Sequence, residues 1–187
     1  MSNPIDDAMQ RPSQLLAAAL SLAVAAAATG ARAAGAAIPT TVSTSRQAPA
    51  MTTHLATGSF DVRLAPQSLS GVAAASGLGR QSIDKHFHGA LDATSTGEML
   101  AFVSATDGSA GYVAMETVRG SLDGRRGTFV LQHGATMTRG VPAQSITVVP
   151  DSGTDALAGL AGRMFVDIAA DGAHRSRFEF TLPDAAP

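Results

Sequence analysis

Residues 111–133 read GYVAMETVRGSLDGRRGTFVLQH, and the fold class turns on them. Taken at spacing two, Tyr112, Ala114, Glu116 and Val118 share one face, and Val113 and Met115 the other. Phe129, Leu131 and His133 repeat the alternation after a short break. Asp123-Gly124 stands in that break, a pair that tolerates the positive φ angles of a primed two-residue turn. Two strands joined so tightly run antiparallel as a hairpin.

The same signature continues on both sides. Phe60, Val62 and Leu64 share a face, and Ile83 and Phe87 mark another strand. Asp107-Gly108 and Asp171-Gly172 are strong turn signals, with His88-Gly89, Arg139-Gly140 and Ser152-Gly153 weaker ones. They divide the body into about eight strands, near 54–64, 79–88, 91–104, 110–120, 127–138, 144–150, 160–170 and 174–182. The long connection, residues 65–77, reads as an irregular loop or a short helix across one mouth. Consecutive hairpins without helices form a meander, which hides its two edges most simply by closing into an all-β antiparallel barrel. A sandwich is the alternative.

Composition bounds the function. The 187 residues include no Cys, a net charge of -2 and a single lysine, Lys85. That excludes a disulfide scaffold and a cysteine-zinc site, and it supplies no positive field for nucleic acid. Residues 1–50 hold sixteen alanines and only five charges, whereas all five histidines follow residue 50. LLAAALSLAVAAAAT (15–29) has the length of a secretory apolar region, and Ala31-Arg32-Ala33 fits a cleavage site. The organisation expected is a signal peptide over 1–33, a flexible tether over 34–52 and one barrel domain over 53–183, placing the protein in the periplasm or outside the cell. Against this, Asp6 and Asp7 offset the positive flank of a signal. A start at Met51 would instead leave the protein in the cytoplasm. No stable membrane span is expected from so short a run.

Five stretches taken together carry a resemblance: GSFDVRL (58–64), GLGRQSIDKHFHGAL (77–91), GEML (97–100), residues 108–140 around GYVAME and FVLQH, and TVVPDSGTDALAGLAG (147–162). They resemble the bacterial domain-of-unknown-function family three-two-two-four. The resemblance implies a small closed barrel similar to allene oxide cyclase, calycin-like in outline. It implies no activity, and it carries none of the cyclases' catalytic residues over to numbered positions of this chain.

Several polar residues are placed to do chemistry. Glu116 shares its face with Tyr112, Ala114 and Val118. If that face is interior, burial raises the carboxyl pKa unless a cation or a donor offsets it. On an outer face it would pair with Arg119 or Arg139. Glu98 is the second candidate carboxylate, and Glu116→Gln is expected to leave stability unharmed. His133, among Phe129 and Leu131, reads as a proton relay or as a packed, satisfied histidine. Tyr112 offers a rigid ring with a hydroxyl. His86 and His88 lie on one strand face, roughly 6.5–7 Å apart, but no third ligand is spaced to join them, so no metal or other cofactor is expected. Arg125-Arg126 reads as a solvated hairpin tip. No nucleophile elbow, phosphate loop or dinucleotide fingerprint is present.

The leading expectation is a non-catalytic barrel that binds a small apolar or amphipathic molecule through Tyr112, Glu116 and His133. An isomerase or cyclase using Glu116 or Glu98 is the alternative, as is a structural homo-oligomer with a filled lumen. Whether the chain is an enzyme stays open at this level.

Overall fold

A computed structural model describes residues 52–183. The expected signal peptide, and all but the last residue of the expected tether, lie outside the described residues. Eight strands follow one another: β1 (Thr53–Gln67), β2 (Gly79–Gly89), β3 (Leu91–Val103), β4 (Ala110–Leu122), β5 (Arg125–Thr138), β6 (Val141–Val148), β7 (Ala161–Ile168) and β8 (His174–Thr181). Each pairs antiparallel with the next, and β8 returns to β1 to close the barrel, with Thr53 opposite Thr181 and Phe60 opposite His174. The closed meander is therefore the fold, and the sandwich is not. Among the described residues no helix is long and apolar enough to cross a membrane.

Turn chemistry explains the tight connections. Asp123 and Gly124 both take positive φ (47° and 78°), as the primed turn requires. Arg139 and Gly140 do the same (48° and 85°), so this weaker sequence signal builds the same kind of turn. At Asp107-Gly108 and Asp171-Gly172 only the glycine is left-handed, and the loops are wider. Ser152-Gly153 does not make a hairpin turn. The β6–β7 connection instead folds over a short 3-10 segment, Asp155–Leu157, whose Leu157 is buried. Of the long connection, residues 65–67 extend β1. Ser70–Ser76 then form successive turns, with the Ala73 and Ala74 amides donating to the Ser70 carbonyl, and no helix results.

Alternation sorts each strand into an inner and an outer row. The inner row forms two apolar clusters. The larger contains Phe87, Val118, Leu122, Phe129, Leu131 and Phe178, each no more than 1% exposed, and Leu157 caps it from the β6–β7 connection. Burying such side chains supplies roughly 1.5–3 kcal/mol apiece. The smaller consists of Ile83, Met99 and Ala114, with Val62, Ala101 and Tyr112 packed against it. What separates the two clusters is polar.

Candidate functional site

On β2 the inner row reads Ile83, Lys85, Phe87; on β3 Ala93, Ser95, Gly97, Met99; on β4 Ala114, Glu116, Val118; and on β5 Leu131, His133, Ala135. On β2, β3 and β4 the polar residues lie between members of the larger and the smaller apolar cluster. The barrel thus carries one polar belt, formed by Lys85, Ser95, Glu116 and His133. All four are buried, with exposures of 8%, 2%, 1% and 4%.

Glu116 is the hub. Lys85 Nζ donates to its Oε1 at 2.9 Å, Ser95 Oγ to its Oε2 at 2.9 Å, and His133 Nε2 lies 2.9 Å from Oε1. Burial pushes the Glu116 carboxyl up, but the His133 bond and the charge of Lys85 outweigh it and hold the pKa at about 2. The group is therefore a carboxylate and can only accept, so the hydrogen of that bond sits on His133 Nε2. Among the described residues no side chain or backbone group bonds His133 Nδ1. Lys85 also lies beside two rings, its Nζ 5.2 Å from the centroid of Phe60 and 5.7 Å from that of Phe87. Such contacts favour a cation held out of water.

Gly97 explains how Glu116 reaches this arrangement. It faces inward, opposite Glu116 on one side and Ile83 on the other. A Cβ there would lie 2.1 Å from the Met115 carbonyl oxygen and 2.7 Å from the Glu116 Cα. Only glycine permits that approach, and it leaves β3 without a side chain where Lys85 and Glu116 meet across it.

Of the sequence candidates, Glu116 and His133 come together. Tyr112 lies on the same inner row of β4, four residues and so roughly 13 Å of strand nearer the β3–β4 turn. Gln144 Nε2 is 3.5 Å from its hydroxyl, and burial raises its pKa. Glu98 is a correction. It faces outward and pairs with Arg80, whose Nε donates to Oε2 at 2.8 Å, and that bond lowers the carboxyl pKa. A side chain on the outer wall cannot act in the interior. The pairing of Glu116 with Arg119 or Arg139 is corrected likewise, because its partner is Lys85. Because Glu116→Gln would strand a buried ammonium, the geometry leads to the opposite expectation for stability, a loss.

His86 and His88 face outward together, their ring centroids 4.4 Å apart, and His88 Nε2 lies 2.9 Å from Asp61 Oδ2. Among the described residues no group of three or more His, Asp or Glu side chains is gathered to hold a metal. Sequence reading missed Lys85 and Ser95. The signal for Lys85 was present, because it alternates with Ile83 and Phe87.

Outside, Leu100 and Phe102 of β3 stand beside Val113 and Met115 of β4, each between 41% and 61% exposed. An open groove of about 630 Å³ runs beside Leu100, Phe102 and Val113 and on to Thr136 and Thr138 of β5.

Fold and site together define a class: a small closed meander barrel with an ionised carboxylate and an ammonium sealed inside. The chain belongs to the DUF3224 family, described as "Protein of unknown function (DUF3224)", whose model matches residues 56–180. It is similar to a DUF3224-family protein of unknown function from Shewanella oneidensis MR-1, solved by crystallography. The two are 46% identical with a TM-score of 0.65, over 73% of this chain and all of that one. No curated protein matches it.

Proposed function

We propose that this protein binds a small apolar or amphipathic molecule in its barrel, with the ligand's polar end at the Lys85–Glu116–His133 belt and its apolar part against the smaller cluster. The observation that carries the reading is the belt itself. Burying charges is expensive, and a paired cluster is seldom more stable than a well-packed apolar one. A filled core needs no such belt, whereas a binding site does. Glu116 organises the site and does not contact the ligand, since three donors already occupy its oxygens. Lys85 and the second ring nitrogen of His133 make the contacts. The same geometry weighs against a carboxylic acid catalyst, because a group with a pKa of about 2 has no proton to give near neutrality.

Native mass spectrometry of the purified chain tests this. The expected result is a co-purified molecule, or a saturable complex with an added medium-chain amphiphile, that Glu116→Gln weakens. A chain that takes up none of a panel of such amphiphiles would overturn the reading. The apolar strip along Leu100, Phe102, Val113 and Met115 supports the expected homo-oligomer, and light scattering that returns a monomer mass would remove that part. Export to the periplasm or beyond remains our proposal for location.

A further inference from the structure

We propose that Lys85 captures carbonyl compounds: its amine forms an imine with an apolar aldehyde held in the barrel, and Glu116 serves as the counter-ion of the resulting iminium. This rests on the binding reading above and names its ligand class.

The choice of residue is the first observation. The chain has 13 basic side chains outside histidine, and Lys85 is the only lysine among them. For a buried ion pair arginine is the better partner, with its planar fork and weaker hydration. Among the described residues every arginine is exposed or half-buried, whereas the buried basic position on the inner row carries an amine. An amine does what a guanidinium does not, which is to condense with a carbonyl.

The surroundings are the second observation. Phe60, Phe87 and Ile83 supply apolar walls, and Lys85 is only 8% exposed, so little water reaches the nitrogen to hydrolyse an imine. The reaction also preserves the electrostatics of the belt. An aldehyde R–CHO and Lys85–NH3+ give R–CH=NH+–Lys85 and water. The carbonyl C=O bond is replaced by C=N, and two ammonium hydrogens leave with the oxygen while the third stays on nitrogen. No electrons are gained or lost, and the single positive charge facing Glu116 persists. Attack starts from the Lys85 amine once it has given one proton to solvent. A second proton then passes from nitrogen to the carbinolamine oxygen, the first returns to that hydroxyl as it leaves as water, and Glu116, whose Oε1 is 2.9 Å from Nζ, stays ionised as the counter-ion.

The test incubates the full chain with decanal and sodium cyanoborohydride, which reduces an iminium to a stable alkylamine, and follows it by intact mass and peptide mapping. With one lysine, the α-amino group is the only other amine and acts as an internal reference. The expected result is an adduct at Lys85 forming at least about tenfold faster than at the α-amino group, because the aldehyde is held beside the nitrogen. Mapping in the unaltered chain needs no variant, and K85R should lose the adduct while keeping the reference. Decanol, which has no carbonyl, is titrated in parallel by native mass spectrometry. If decanol binds but Lys85 gains no adduct, or gains it no faster than the reference, the imine is overturned and the binding reading stands. If neither compound is retained, both fall.

Discussion

Replacing Glu116 with glutamine tests whether the belt is a genuine buried ion cluster. The carboxyl, ordinarily near 4.5, is held at about 2. At about 1.4 kcal/mol per unit, that difference corresponds to roughly 3 kcal/mol of folding free energy. Because the folded-state pKa is depressed, this stabilisation is present in full above the unfolded value. It drains away as pH falls through 4.5 toward 2. Glutamine keeps the shape but cannot titrate, and it leaves the Lys85 ammonium buried beside Phe60 and Phe87 without its counter-charge. Breaking a buried pair from one side typically costs 3–5 kcal/mol, which agrees with the linkage figure. Urea unfolding followed by far-UV circular dichroism should therefore show Glu116→Gln less stable than the parent by about 3 kcal/mol at pH 7, with the gap closing toward zero near pH 2. The double variant Lys85→Met/Glu116→Gln should recover much of the loss. A gap below about 1 kcal/mol at pH 7, or one that does not narrow with acid, would refute the assignment of Glu116 as a buried, paired carboxylate.

Gly97→Ala should damage the barrel severely. Its methyl group would press on backbone at 2.1 Å, and a loss of about 3 kcal/mol or more, or failure to fold, is expected in thermal unfolding. Ser95→Ala strips one donor from Glu116 Oε2 and should cost about 1–3 kcal/mol in urea titrations. By contrast Glu98→Gln, on the outer wall, should leave the melting temperature unmoved, and a clear drop would show that Glu98 is not the solvent-exposed partner of Arg80 described above.

Much of the barrel was legible because strand alternation is a local property. The faces of β4 and β5 follow directly from the order Tyr112, Ala114, Glu116, Val118 and then Phe129, Leu131, His133. The site was legible only in part. Glu116 and His133 stood out as polar residues on apolar faces, but the sign of the Glu116 shift depended on its partner, and that partner comes from β2, across β3. Which residue of β2 meets Glu116 is set by register and barrel curvature, neither of which sequence spacing encodes. His86 and His88 mark the outer face of β2, while Lys85, on the inner face between Ile83 and Phe87, belongs to no motif that sets it apart. Glu98 misled for the opposite reason: it sits between Gly97 and Met99, and a glycine beside it blurs the alternation. The β6–β7 connection escaped because its short 3-10 segment is held by packing of Leu157 and carries no periodic signal.

Incorporating 15N-labelled lysine lights up one side-chain ammonium in the whole molecule, and its exchange with solvent reports directly on where Lys85 lies. An Nζ signal with slowed proton exchange near neutral pH, displaced by Glu116→Gln, is the outcome expected of an amine sealed against a carboxylate inside the barrel. A rapidly exchanging signal at the position of a free lysine, indifferent to the change at 116, would contradict it.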